Sequence, residues 1–143
     1  MHPTPAVSAA NIFSWPIRVY WEDTDAGGIV FYANYLKYFE RARTEWLRAK
    51  GVDQSRLAAE QGVLFMVLAV NVEYKAPARL DDRLLVTCEA LPDGRTTVIF
   101  QQRIYKEPAA AGAERELLIE ATVRVVCLDG RTMRPRRIAG YIP

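Results

Sequence analysis

From Ile17 to Trp21 the chain alternates apolar and polar residues, which predicts a half-buried strand. The run from Glu22 to Gly28, EDTDAGG, breaks that pattern. Beyond it, Tyr35, Phe39, Ala42, Trp46 and Ala49 recur at intervals of four, three, four and three. That is one apolar face of a helix of about four turns, and Leu36 and Leu47 widen it. Asn34 is placed to cap the start. Lys50 and Gly51 give the end a cation near the last carbonyls and a residue able to leave the helix. Asp53 is placed to cap a shorter helix running to Glu60 or so. After Gly62 the residues turn β-branched and aromatic. Val63 to Tyr74, Leu84 to Ala90, Thr96 to Tyr105 and Leu117 to Leu128 read as strands, with Asp93-Gly94 a hairpin turn between the second and third. Pro108 to Gly112 is a loose connection, and Asp129-Gly130 closes the last strand. A strand, a long helix and four antiparallel strands make an α+β domain, one greasy helix face on a sheet of about five strands able to curl around it.

Length and charge narrow the classes. A chain of 143 residues fits one domain with a sizeable core. We take residues 13–143 as that domain and 1–12 as a loose tail, which has neither the basic start nor the continuous apolar stretch of a secretory signal. No apolar run approaches the ~20 residues that span a bilayer, so the expectation is a cytoplasmic protein with no transmembrane segment. A net charge of +2 is too balanced for a dedicated nucleic-acid binder. The local excess of Arg131, Arg134, Arg136 and Arg137 reads either as a solvated basic tail or as a site for phosphates on a ligand. Cys88 and Cys127 fall inside strand-like segments and are expected as buried, reduced thiols. The single histidine is His2, in the tail. Ser-His-Asp triads, Cys-His pairs and His-ligated zinc all need an imidazole fixed in the core. Chemistry here must come from carboxylates, backbone amides, hydroxyls or water.

That leaves Glu22, Asp23 and Asp25. As a calcium loop, Asp23 and Asp25 would supply positions 1 and 3. Position 5 would then be Gly27, and position 12 would be Asn34 instead of a bidentate Glu, so no metal is expected. Gly27-Gly28 matches neither the dinucleotide fingerprint nor the P-loop, though it permits unusual backbone angles and close approach by a ligand. The plain reading is a polar turn that ends a strand and favours the dipole of the helix that follows. The chemical reading is one carboxylate kept from water, its pKa raised by like charges and by walls of Trp21, Phe31, Tyr32 and Tyr35. Asp25, closest to the glycine turn, is the best candidate for that role.

The stretch from Arg18 to Arg48, RVYWEDTDAGGIVFYANYLKYFERARTEWLR, resembles the signature of the 4-hydroxybenzoyl-CoA thioesterase family. It is most like the branch associated with the Tol-Pal system of Gram-negative bacteria. VEYKAPARLDD, Val72 to Asp82, and VVCLDGRTMRPR, Val125 to Arg136, resemble the same branch, so the likeness runs over nearly the whole domain. It implies the hotdog fold, a long helix wrapped by an antiparallel sheet, assembled as a homodimer or homotetramer with active sites at the subunit interface. It implies hydrolysis of an acyl-CoA thioester to a free acid and coenzyme A, with no cofactor beyond the coenzyme A of the substrate itself. In the family motif D-x-D-x-x-G the second Asp is the catalytic carboxylate, here Asp25, as general base or as nucleophile; the closing glycine is Gly28. By position, the backbone at Leu64, Phe65 and Met66 would polarise the thioester carbonyl, an interaction that can be worth ~3 kcal/mol of barrier.

Two residues depart from the branch. Tyr32 stands where a histidine is usual, and a phenol is a poor base at neutral pH. Trp21 stands where a tyrosine is usual and changes the acyl pocket. For the phosphates of coenzyme A the candidates are Arg79, Arg83, Arg134 and Arg136. Two other readings stay open: a thioesterase acting on acyl groups borne by acyl carrier protein, docked through the basic patch, and a non-catalytic acyl-thioester binding protein.

Overall fold

A computed structural model describes residues 12–142. The tail expected at residues 1–12 therefore lies outside the described residues, apart from Ile12, and so does His2. The chain runs through β1 (Phe13–Arg18), α1 (Tyr35–Ala49), α2 (Gln54–Gln61), β2 (Val63–Tyr74), β3 (Arg83–Asp93), β4 (Thr97–Lys106) and β5 (Glu116–Asp129). The five strands form one antiparallel sheet in the order β1-β3-β4-β5-β2. Asp93-Gly94 does turn the β3–β4 hairpin, with Gly94 at φ 83°.

The first strand lies earlier than the alternation from Ile17 to Trp21 suggests, because Trp21–Asp23 coils into a 3-10 turn. Pro16 is tolerated inside β1 because that strand is at the sheet edge. The alternation still reports burial: Ile17 and Val19 face the core. Val19 stays extended by exchanging backbone bonds with Asp81 and Asp82.

α1 buries Tyr35, Tyr38, Phe39, Ala42, Trp46 and Leu47 against the sheet. Each of the large apolar side chains taken out of water contributes about 1.5–3 kcal/mol, and the Ala42 methyl about 0.8. The Trp46 ring meets Phe100 of β4 edge-on at 5.6 Å. The stripe is narrower than expected at both ends, since Leu36 and Ala49 are exposed. Asn34 does not cap α1 with its side chain. It is itself helical (φ −69°, ψ −22°), because a 3-10 turn, Tyr32–Asn34, feeds directly into α1. α2 follows its sequence signals: Asp53 accepts the Arg56 N–H and Gly62 leaves in the left-handed region at φ 65°. Cys88 and Cys127 are both buried free thiols.

α1 lies mainly on β1 and β3 and reaches β4 through Trp46 and Phe100, which leaves most of β2, at the far edge, without helix cover. As a result β2 exposes Leu64, Met66, Val67, Leu68 and Val70. A bulge between Val67 and Ala69 drops Leu68 out of the pairing with β5.

Candidate active site

The acidic stretch forms a tight loop. Thr24 and Val30 pair across its neck. Inside, the Asp25 N–H donates to Ile29 O (2.9 Å) and the Gly28 N–H to Asp25 O (3.0 Å). Gly28 sits at φ 80°, where a side chain would strain the backbone. Gly27 serves a different need: a Cβ there would lie 3.2 Å from Asp25 Oδ1. That oxygen accepts the Gly27 N–H at 2.8 Å, which leaves Oδ2 with no partner among the described residues. The loop is bound to the segment after β2 by Val30 N–H to Ala78 O (2.9 Å) and Leu80 N–H to Gly28 O (3.2 Å).

The three carboxylates divide sharply. Asp25 and Glu22 are exposed, while Asp23 is only 4% exposed. The carboxylate kept from water is thus Asp23 and not Asp25 in the single chain. Burial alone would raise its pKa. The Tyr20 N–H, the neighbouring Tyr38 and Asn34 side chains and the Arg41 charge outweigh burial and hold the carboxyl below the usual range. The Tyr20 N–H reaches Asp23 Oδ2 at 2.9 Å and Asn34 Nδ2 reaches Oδ1 at 3.0 Å. Tyr38 is wholly buried, and its hydroxyl makes no hydrogen bond of proper geometry among the described residues. Burial and then the Asp23 carboxylate push that phenol far above its usual range.

The aromatic walls expected around Asp25 are open in one chain. Trp21 is 76% exposed and Tyr32 66%. Tyr35 belongs to the core instead, and its hydroxyl accepts the Ala78 N–H at 2.9 Å. Tyr32 stacks obliquely on Phe31 at 4.8 Å and lies edge-on to Tyr74 at 6.5 Å. The Tyr74 hydroxyl donates to Tyr32 O at 3.0 Å, a contact that no sequence pattern signals.

Leu64, Phe65 and Met66 are not near Asp25 in the same chain. They open β2, opposite Leu128, Cys127 and Val126, whereas the Asp25 loop is bound beyond the other end of that strand. Twelve residues of strand separate the two ends by roughly 36 Å. Besides the Ala26 and Ile29 amides of the loop itself, the nearby amides that find no acceptor among the described residues are those of Tyr32 and Ala33. They open the helical segment and sit at its positive end. Sequence reasoning missed them because the 3-10 entry carries no capping signature.

The arginines form two groups. Arg79 and Arg83 are exposed; Arg79 bridges to Ile29 of the Asp25 loop, and Arg83 lies opposite Arg18 across the β1–β3 pair. None of these three side chains makes an ion pair among the described residues. Arg134 and Arg136 lie at the Leu64 end, where Pro135 pairs with Leu128. Arg136 is engaged internally, donating to Gln61 O (2.9 Å) and the Tyr141 hydroxyl (2.8 Å). No cluster of three His, Cys, Asp or Glu side chains suited to a metal occurs among the described residues.

A long helix laid on a five-stranded antiparallel sheet and entered through an acidic glycine turn defines a hotdog-fold domain. The family model "Thioesterase superfamily" matches residues 27–113, and the chain belongs to that superfamily. It is 49% identical to an acyl-CoA thioester hydrolase, YbgC, of Escherichia coli O6:H1 over 128 residues, 90% of each chain. It is 43% identical to an acyl-CoA thioesterase, YbgC, of Haemophilus influenzae, over 87% of each chain. Among solved structures, a mutant 4-hydroxybenzoyl CoA thioesterase complexed with 4-hydroxybenzoyl CoA superposes with a TM-score of 0.82 at 19% identity, covering 92% of this chain and 95% of that one. At that identity the superposition speaks for the fold alone.

Proposed function

We propose that the protein is an acyl-CoA thioesterase that hydrolyses an acyl-CoA thioester to a free acid and coenzyme A, with Asp25 as the working carboxylate. The observation that carries this reading is the Asp25 loop itself. It holds one carboxylate oxygen by an amide and leaves the other open, directly before a helix N-terminus. It does so in a chain 49% identical to an acyl-CoA thioester hydrolase. As general base, Oδ2 takes a proton from the water that attacks the thioester carbonyl. As nucleophile, it attacks the carbonyl itself, expels the coenzyme A thiolate and leaves a mixed anhydride for water to open. In either route an oxyanion forms. The free amides of Tyr32 and Ala33 are candidates to receive it from the same chain, and Leu64 to Met66 from a second copy.

The second copy follows from β2. An unpaired, apolar, twelve-residue edge strand is a template for another strand. Antiparallel pairing with its own copy about a twofold axis lays the Leu64 end of one β2 beside the Tyr74 end of the other. The two halves of the site, far apart in one chain, then meet. Arg134 of the second copy approaches the Arg79 and Arg83 of the first, which gives the phosphates of coenzyme A cations from both sides. Trp21, Phe31 and Tyr32 gain the cover they lack alone. We therefore read the active unit as a homodimer at least, with a homotetramer as a further assembly of dimers. Acyl-CoA as the substrate accords with a cytoplasmic location.

Arg18, Arg79 and Arg83, exposed and without counter-charges, also suit an acidic acyl carrier protein bearing the same acyl group. The deciding experiment is release of free thiol from a panel of short, long and aromatic CoA thioesters, with matched carrier-protein thioesters alongside. Turnover that favours CoA supports the proposal. Turnover confined to carrier protein replaces the substrate, and binding without turnover of either contradicts an enzyme.

A further inference from the structure

Asp23 reaches both ends of the loop that carries Asp25. Its carboxylate Oδ2 accepts the Tyr20 N–H at 2.9 Å, fixing the turn by which the chain enters. Its backbone carbonyl accepts the Phe31 N–H at 3.0 Å, fixing the residue by which the chain leaves. Its Oδ1 accepts Asn34 Nδ2 at 3.0 Å, tying both to the start of α1. Asp23 is 4% exposed and Asn34 8%, so water does not substitute for these bonds. The wholly buried Tyr38 side chain, from the first turn of α1, closes the site from the core side. Removing one partner of a buried, charge-assisted bond leaves the other unsatisfied, which is costly.

Resting on the thioesterase reading, we propose that Asp23 is a positioning residue for the reaction. With Asn34 it sets the Asp25 carboxylate at a fixed distance from the free amides of Tyr32 and Ala33. The geometry makes the coupling direct. Among the described residues, the loop between Thr24 and Val30 holds only its own short-range bonds and its attachment to residues 78–80. Its orientation toward α1 comes from the Asp23–Phe31 and Asp23–Asn34 bonds. The first acid of the D-x-D pair therefore places the second. Asp23 touches neither substrate nor water in the reaction, and it does not exchange a proton in turnover.

The test is a reciprocal exchange. In Asp23→Asn the side-chain carbonyl still accepts the Tyr20 N–H, but the charge-assisted bond to Asn34 is lost and is replaced at best by a neutral amide–amide bond, made only when Asn34 turns its carbonyl toward position 23. In the double variant Asp23→Asn with Asn34→Asp, the new amide donates to the new carboxylate and the bond is restored in reverse. The expected result is a fall in kcat of about 100-fold for Asp23→Asn with KM nearly unchanged, the loss that a small misplacement of a catalytic group produces. The exchange variant recovers at least about tenfold of it. Hydrogen exchange of the Asp25, Gly28 and Phe31 amides gives a readout that needs no turnover: about tenfold faster in Asp23→Asn, restored in the exchange variant. Melting curves show whether Asp23→Asn stays folded at the assay temperature; if it does not, the exchange variant alone decides. Wild-type kcat and loop protection in a folded Asp23→Asn would overturn the proposal. So would an exchange variant no better than the single one. If wild type turns over no thioester, it is the thioesterase reading that falls, and the amide-exchange pattern still decides whether Asp23 holds the loop.

Discussion

Asp23 and Asp25 are two positions apart, yet their surroundings assign them opposite tasks. Asp23 is sealed behind Tyr20, Asn34 and Tyr38, while Asp25 stands open with one oxygen tethered. The held charge at Asp23 has a consequence for stability. Its carboxyl is depressed in the folded chain, so an unfolded Asp takes up a proton first as pH falls, from about pH 4. Its contribution is therefore fully present above that pH and is lost as pH drops through the folded value. Thermal melts between pH 7 and pH 3 should show a steep acid limb for wild type and a flatter one for Asp23→Asn. Cys88 acts at the other extreme. Burial, opposed only in part by Arg43, pushes its thiol up to about 12. An unfolded thiol ionises from about 8.5, so stability falls as pH rises from there toward about 12. Melts of Cys88→Ala across that window should lose the part of the slope that this thiol adds. At Gly28, with φ 80°, alanine should cost about 1 kcal/mol or more in a denaturant titration, whereas an alanine at exposed, helical Ala49 is already native.

Among the elements, β2 makes the strongest demand. Its exposed Leu64, Met66, Val67, Leu68 and Val70 are apolar side chains on an unpaired edge. On the dimer reading, Val70→Lys should give a folded monomer in sedimentation and abolish turnover, since the two halves of the proposed site would no longer meet. A dimer that persists with full activity would remove the pairing. The elements also show what a linear pattern can carry. β2 was legible from Val63 to Tyr74 and the β3–β4 hairpin from Asp93-Gly94, because β-branched runs and a glycine turn act locally. β1 was placed too late, since alternation from Ile17 marks burial and continues through residues that pair with a turn instead of a strand. Asn34 was read as a cap because its residue type allows one. Only the fold brings Asp23 within reach and gives that amide another partner.

Across the molecule, the candidate site was legible as a set of residue types but not as an arrangement. The motif singles out Asp25 and Gly28, and the glycine geometry gives each a reason. The sequence could not show that Leu64 to Met66 lie a strand's length from Asp25, or that Arg136 is bound to Gln61 and Tyr141. Such facts depend on topology, which joins β2 to β5 and, among the described residues, leaves its other edge bare. The same separation divides the arginines, and the dimer reading gives them distinct weights. Arg79→Ala and Arg83→Ala should raise KM for CoA thioesters several-fold with kcat kept, since phosphate contacts hold the substrate without acting on the reacting carbonyl. Arg136→Ala should instead lower the melting temperature, because it removes an internal tie.

The measurement closest to the central claim is the rate of free-thiol release by wild type and Asp25→Asn, side by side, on the best CoA thioester of the panel. Asparagine keeps the size of the side chain and an oxygen for the Gly27 amide, so the fold and the loop are preserved while the base or nucleophile is removed. The account predicts a loss of at least about 100-fold in kcat with substrate binding retained. Undiminished turnover by a folded Asp25→Asn would contradict it.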